Sequence, residues 1–319
     1  MSFSKVLLLV STLLCMINTY SLCLLGGYLS ENKYLYFNSK TLKSEPNIDL
    51  IKKEADKGDP HAQYNLGCLH RIKSENQQAM DWFLKSAKQN EPAAMLELYL
   101  DASSVKNNGF AIDWLKKAAD LGYVPAINRL AEYYYNNDQI SKTIDIYLKL
   151  IDRDPSYEYA YTYLGILYYF GGNNDMGGDK PREEPVNEPR YKSIIDHKKA
   201  VRYFYQAASR DSQVGKYYFA LMNYNGHGTP KDLKTAFEYF KDVADNYEGY
   251  TKLPYSAKVH VGKMYYYGEG TEKNLLHSYK YLKVPALAGD QEAYSYLDKV
   301  CSEKTWICAS NSHDKKDSD

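Results

Sequence analysis

The strongest constraint on the fold of this chain is a short pattern that occurs seven times along it. Each copy begins with a small residue and carries a large apolar residue four positions later. The spacings between successive copies are 32, 32, 34, 55, 42 and 36 residues, a range typical of stacked helical repeats. The first residues of the copies are Ala62, Ala94, Ala126, Ala160, Gly215, Ala257 and Ala293.

A second pattern follows six of these copies. It has a small residue first, an aromatic or apolar residue three positions later, and mostly small or apolar residues at the seventh and eighth positions after it, which is one face of a helix. We expect Trp82 and Trp114, which share the third position, to be buried between hairpins, and Pro285 to end the sixth helix early. The six segments are 79–87, 111–119, 143–151, 200–208, 236–244 and 278–286.

Alternation of the two patterns predicts a series of helical hairpins. A single hairpin cannot bury its own apolar face, so neighbouring hairpins must cover it. The chain of 319 residues is 44% hydrophobic, which is enough for a sizeable core. We therefore predict an all-α protein, an α/α solenoid of six hairpins and a terminal half-unit over residues 48–300.

Two Gly-x-Gly sequences raise the alternative of a nucleotide-binding loop. Gly226 and Gly228 recur 42 residues later as Gly268 and Gly270. A dinucleotide fingerprint needs a third glycine, where this chain has Lys273, and no Gly-Lys-Ser/Thr follows either pair. We interpret the glycines as turn residues between the two helices of a hairpin, where they supply positive-φ conformations.

The combined pattern resembles the Sel1-like repeat, a variant of the tetratricopeptide repeat. The resemblance covers about residues 48–300 and is clearest in LGILYYFGG (164–172) and AIDWLKKAADLG (111–122). The second unit lacks the loop glycines, and YYYNND (133–138) replaces them in the third. The resemblance implies a right-handed superhelix that binds another protein or a peptide.

The N-terminus has the composition of a targeting segment. Lys5 is the only charge before the apolar run 6–27, and small residues lie near its end. We expect residues 1–23 to be a secretory signal peptide, with the mature protein beginning between Leu22 and Tyr28 and a linker over residues 24–47. An uncleaved membrane anchor is the alternative, because the apolar run is about long enough to span a bilayer.

Tyrosine is unusually frequent, with 34 copies against 9 phenylalanines, and it suits half-exposed interfaces. By the resemblance, one stripe of each first helix lines a concave groove that contacts the partner; packing of these rings between repeats is the alternative. The stripe residues that we select are Tyr64, Asn128, Tyr135, Thr162, Tyr169, Tyr217, Tyr224 and Tyr266.

The remaining features lie outside the repeats. Residues 171–197 interrupt the spacing and are rich in Gly, Asn and Pro, which predicts an exposed loop: a tolerated insertion or a partner contact. Residues 301–319 form a polar tail, in which Cys301 and Cys308 are close enough in sequence for a local disulfide, and Cys68 is left as a lone buried thiol. The alternative is that all three are free cysteines.

No catalytic motif and no zinc-type cysteine spacing occurs, so we predict no enzyme activity, no cofactor and no metal. The chain carries forty Lys and Arg against forty Asp and Glu, which disfavours binding to nucleic acid or to anionic membranes. We expect an exported, monomeric scaffold or adaptor in the periplasm or outside the cell, for example an effector-neutralising immunity protein or a host-interaction factor. The alternative is a membrane-anchored structural part of a cell-envelope assembly, touching the membrane only through an uncleaved N-terminal segment.

Overall fold

The computed structural model describes residues 35–38, 43–103, 109–171, 193–246 and 253–309. The chain forms two compact units, Met1–Tyr133 and Tyr134–Asp319, and the boundary lies within one helix. The predicted signal segment 1–23 and nearly all of the predicted loop 171–197 lie outside the described residues.

The first unit begins with a short antiparallel strand pair, in which β1 (Leu35–Asn38) pairs with β2 (Lys43–Pro46). These strands lie in the segment that we predicted as a linker, and no sequence pattern indicated them. Helices then follow. They are α1 (Ile48–Asp56), α2 (Pro60–Ile72), α3 (Asn76–Ala87), α4 (Pro92–Ser103), α5 (Gly109–Asp120) and α6 (Val124–Asn136), within which the boundary falls. Of these helices, α1 to α5 pack each against the next.

The second unit continues the alternation of first and second helices. Its elements are α7 (Ile140–Arg153), α8 (Glu158–Phe170), α9 (His197–Ala208), α10 (Gln213–Asn225), α11 (Leu233–Asn246), α12 (Leu253–Tyr267), α13 (Leu275–Leu287), α14 (Gln291–Glu303) and α15 (Thr305–Ala309). The predicted all-α class and α/α-solenoid fold are confirmed. Pro285 does not end α13, which runs on to Leu287. The missing Pro285 N–H removes one i→i−4 hydrogen bond in the last turn, and the helix continues for two residues beyond it.

The small residues of the repeat let the two helices of a hairpin approach closely. A Cβ on Gly165 would lie 2.6 Å from the Phe204 ring, and one on Gly67 would lie 2.6 Å from the Phe83 ring. Both phenylalanines are fully buried. Each contact therefore joins a first helix to the second helix of the same hairpin through a position where no side chain fits.

The second-helix register differs by one position from our expectation. Trp82 and Trp114 are only half-buried, whereas their neighbours Phe83 and Leu115 are fully buried. The buried stripe consists of the small residue and the residues four and seven positions after it, as in Ala200, Phe204 and Ala207. The prediction that both tryptophans are buried is therefore wrong, because the third position lies beside the stripe rather than in it.

The Gly-x-Gly loops join neighbouring hairpins as well as turning the chain. Gly226 and Gly268 end α10 and α12 with a left-handed conformation. The second glycine of each pair lies against the first residue of a second helix in the preceding hairpin: a Cβ on Gly228 would overlap the His197 carbonyl, and one on Gly270 would overlap that of Leu233. Glycine is required there for close approach as well as for its positive φ.

All three cysteines within the described ranges are disulfide-bonded. Cys301 and Cys308 are joined across a Cα–Cα distance of 5.6 Å, so the expected local disulfide is present and ties α15 to the end of α14. Cys68 is also disulfide-bonded. The prediction that Cys68 is a lone thiol is therefore wrong, although it is buried as expected.

Candidate functional site

The tyrosines nine positions after the repeat start join each hairpin to the next one. The Tyr169 hydroxyl lies 2.9 Å from Nδ1 of His227, the residue between two loop glycines. Tyr224 donates a hydrogen bond to the Glu269 carboxylate at 2.9 Å, and Glu269 has the same position in its own Gly-x-Gly loop. Two successive units therefore use this tyrosine to hold the following loop.

Four of the predicted groove residues are buried and cannot contact a partner. Tyr169 is 0% exposed and packs against Phe170, Phe204 and Tyr218. Tyr217 meets the Phe240 ring edge-on at 5.4 Å, and Tyr64 lies 5.8 Å from Phe83. Thr162 is buried as well, with its hydroxyl 2.9 Å from that of Ser212. For these four residues the groove prediction is wrong, because the second helix of their own hairpin or the next hairpin covers them.

The other four predicted groove residues keep part of their surface in solvent. They are Asn128, Tyr135, Tyr224 and Tyr266. Tyr224 is partly covered by His260, whose ring centroid lies 5.8 Å from that of Tyr224. Two of these rings each have a lysine above them, and the two lysines have the same position after the Gly-x-Gly loops. Lys231 Nζ is 5.3 Å from the Tyr224 centroid, and Lys273 Nζ is 5.0 Å from the Tyr266 centroid.

Three tyrosines of α12 and α14 form a group of rings that we call the tyrosine cluster: Tyr266, Tyr267 and Tyr296. Their ring centroids are 5.0, 5.9 and 5.9 Å apart, all in edge-to-face arrangements. The hydroxyls of Tyr267 and Tyr296 lie 3.3 Å apart. Tyr267 is 52% exposed, so the cluster presents aromatic surface to solvent while its members hold one another in place.

Charged side chains fix the rim of the tyrosine cluster. Tyr266 donates a hydrogen bond to the Glu303 carboxylate, which also pairs with Lys273 at 3.1 Å. Lys263 pairs with Glu292 at 2.6 Å and lies 5.6 Å from the Tyr296 centroid. The rim therefore offers both signs of charge around an aromatic centre.

The surroundings of Tyr266 and Tyr296 raise the pKa of both hydroxyls. The hydrogen bond to Glu303 raises the pKa of Tyr266 to about 12, and it lowers the pKa of the Glu303 carboxyl. Burial, followed by the hydrogen bond with Tyr267, raises the pKa of Tyr296 well above its usual range. These two hydroxyls therefore act as hydrogen-bonding groups, because their pKa values are shifted away from the range of a general base.

Tyr267 and Tyr296 were missed by the sequence reasoning. They follow the starts of their repeats by ten and three positions, outside the stripe of positions that the resemblance places in the groove. Their contact depends on how α12 and α14 pack, which no spacing within one repeat encodes. The high number of tyrosines was the only available signal.

A histidine pair marks the junction of α9 with the loop after α10. The rings of His197 and His227 are stacked with centroids 5.3 Å apart, next to the buried Tyr169 ring. Burial, then the neighbouring His227, lowers the pKa of His197, while Asp196 opposes the shift. The junction therefore favours a neutral His197 imidazole.

The described residues contain neither a cluster of metal ligands nor a membrane-spanning helix. Within the described ranges, no three His, Cys, Asp or Glu side chains come together in a way that could hold a metal ion. No helix in these ranges combines the length and the apolar character that crossing a bilayer requires.

Comparison with known proteins identifies the repeat. The Sel1 repeat matches residues 60–91, 97–123, 192–212, 214–242 and 256–290. A Sel1 repeat protein from Oxalobacter formigenes is 20% identical with a TM-score of 0.57, over 88% of this chain and 76% of that one. None of the curated proteins matches this sequence.

A second solved structure has the same fold. It is a protective antigen present in uropathogenic Escherichia coli strains, displaying an SLR fold, with 20% identity and a TM-score of 0.58. The similarity covers 89% of this chain but only 57% of the antigen, so the present chain corresponds to little more than half of that protein's length. Five repeat matches between residues 60 and 290, together with the hairpin fold, lead to one conclusion: the chain belongs to the Sel1 repeat family.

Proposed function

We propose that this protein is a protein-binding scaffold and that the tyrosine cluster of α12 and α14 is its principal contact surface. Sel1 repeat proteins are generally protein-interaction scaffolds, and the family is typically non-catalytic. The observation that carries the proposal is the cluster itself: three tyrosine rings in mutual contact, of which Tyr267 is 52% exposed.

The energetics of interfaces favour such a group. Tyrosine is enriched among the residues that dominate binding energy, because it buries a large rigid surface at a small cost in side-chain entropy. Ring contacts and the bond from Tyr266 to Glu303 already restrict these side chains before a partner arrives. A partner therefore binds side chains that are already ordered in the free protein, so that little side-chain entropy is lost on binding.

Removing the cluster is expected to abolish partner capture. The mature chain is used as bait in an extract of its own organism, and captured proteins are identified by mass spectrometry. We expect Tyr267→Ala/Tyr296→Ala to reduce capture of the main partner by more than about tenfold, because central tyrosines contribute about 2 kcal/mol or more each. A thermal unfolding curve recorded by circular dichroism checks that the variant is folded.

Tyr205→Ala is the matched control for this experiment. Tyr205 is 53% exposed, close to the value for Tyr267, but it lies on α9, a second helix. We expect its loss to leave capture unchanged. Equal capture by the folded double variant and by wild type would remove the cluster from the interface, and failure of wild type to capture any protein reproducibly would count against the scaffold itself.

Export is part of the proposal. The apolar run 6–27 behind Lys5 supports a secretory signal, and the two finer roles that fit an exported scaffold are neutralisation of an effector and contact with a host. We expect osmotic shock to release the protein and N-terminal sequencing to find a start between Leu22 and Tyr28. Retention in the membrane fraction with Met1 or Ser2 intact would instead favour the membrane-anchored structural component.

A further inference from the structure

A cavity lies on a different surface of the second unit, between the second helices α7 and α9 and the end of α8. Its volume is about 350 Å³, which suits one or two side chains of a bound peptide. None of its lining residues belongs to the tyrosine cluster. The lining residues are Leu148, Tyr168, Lys199, Arg202, Tyr203 and Gln206.

The apolar part of the cavity consists of two stacked rings and an exposed leucine. The Tyr168 and Tyr203 rings are nearly parallel, with an interplanar angle of 4° and centroids 5.6 Å apart. Leu148 on α7 is 38% exposed. An apolar or aromatic side chain of a ligand would cover this surface and remove it from water.

The charged groups that line the cavity are cations. Lys199 Nζ is 5.0 Å from the Tyr168 centroid and 3.6 Å from Asp196, whose other carboxylate oxygen caps α9 by accepting from the Lys199 N–H. Arg202 is exposed and forms no hydrogen bond or ion pair with another residue that the structure describes. Burial, followed by the charges of Asp196 and Asp145, raises the pKa of Tyr168. Neither carboxylate lines the cavity. The lining thus offers cations and an amide but no carboxylate.

The repeat alignment shows that most units carry the opposite charge at the position of Arg202. Arg202 follows the small residue that starts its second-helix pattern by two positions. Four of the other five units carry an acidic residue there, Asp81, Asp113, Asp145 and Glu238. The charge at this position is therefore reversed on α9 relative to α7, the other second helix that lines the cavity.

We propose that this cavity binds a short acidic peptide segment of a protein, with an apolar or aromatic side chain against Leu148 and the tyrosine rings and a neighbouring carboxylate on Arg202 and Lys199. Charge complementarity selects this occupant, since the unpaired guanidinium forms its best hydrogen bonds with a carboxylate. A scaffold that joins two proteins needs two surfaces, and this one lies apart from the residues of the tyrosine cluster.

The test uses purified full chain and two pools of fluorescein-labelled pentapeptides. Both pools have phenylalanine, tyrosine or leucine at the centre; the flanking residues are glutamate in one pool and lysine in the other. We expect saturable binding of the acidic pool by fluorescence polarisation, weakened by added salt, and no binding of the basic pool. Arg202→Glu should weaken binding of the acidic pool by about tenfold or more, because an attractive charge contact becomes repulsive.

Lys280→Glu makes the same kind of charge change at the equivalent position on the exposed face of α13, and it should leave binding unaltered. Because Arg202 has no hydrogen-bond or ion-pair partner within the described ranges, Arg202→Glu should retain the wild-type melting temperature. The proposal is overturned if the acidic pool does not bind below about 1 mM, or if the two variants bind it equally. It is also overturned if 3-phenylpropionate alone binds as tightly as the peptides, because the site would then be one for a small carboxylate.

Discussion

Replacing Tyr169 with alanine is expected to lower the free energy of unfolding of the second unit by about 3–5 kcal/mol, the usual cost of truncating a buried aromatic residue. The side chain is 0% exposed and lies at the centre of a ring group with Phe170, Phe204 and Tyr218. The truncation also removes the hydroxyl beside Nδ1 of His227. Chemical denaturation followed by circular dichroism measures the effect.

Two further variants separate packing from hydrogen bonding at this place. Tyr169→Phe keeps the ring and loses only the hydroxyl, so we expect a cost of about 1 kcal/mol. Tyr205→Ala removes a tyrosine that is 53% exposed, and its cost should stay below about 1 kcal/mol. If Tyr169→Ala proved as mild as Tyr205→Ala, Tyr169 would be accessible, and the groove prediction from sequence would be right for this residue after all.

Gly270→Ala is expected to cost more than about 3 kcal/mol. Alanine in the left-handed region is unfavourable by about 1–2 kcal/mol, and Gly270 has a φ of +69°. In addition, the new Cβ would overlap the Leu233 carbonyl at the start of α11, so the loop would have to move away from the preceding hairpin. Denaturant titration of the purified variant measures this loss.

Gly289→Ala isolates the backbone component of that cost. Its φ is +90°, but a Cβ there meets nothing within 4 Å. We expect a loss of about 1–2 kcal/mol, from the left-handed conformation alone. Equal losses at Gly270 and Gly289 would show that the close approach to Leu233 contributes nothing, and that the Gly-x-Gly loop serves only as a turn.

The hairpin architecture was predictable because each repeat carries it locally. Small residues such as Ala200 and Ala236 recur at fixed positions and are fully buried. Caps recur as well: Asp59 and Asp290 each stand three residues before a repeat start and accept its backbone N–H at 2.9 and 3.0 Å. Signals of this kind depend on spacing along one helix, and spacing is visible in the sequence.

The side of each helix that meets its neighbour was harder to predict. The sequence pattern favoured Trp82 as a buried residue, yet Phe83 is the one that lies against Gly67. At 100° per residue, the third and fourth positions along a helix lie about 60° and 40° to either side of the starting residue, about 100° apart. A motif tolerates apolar residues at both positions, and only the packing of the two helices decides which of them is buried.

The sequence by itself determined the repeat, the helical hairpins and the structural role of the glycines, whereas only the tertiary structure decided which tyrosines are accessible. Tyr169 and Tyr266 have the same position in their repeats, but Tyr169 is enclosed and Tyr266 is only half-buried. Two ring partners of Tyr169, Phe204 on α9 and Tyr218 on α10, lie 35 and 49 residues further along the chain. Burial is a property of these long-range contacts, and equivalent positions in a repeat therefore need not have equivalent surfaces.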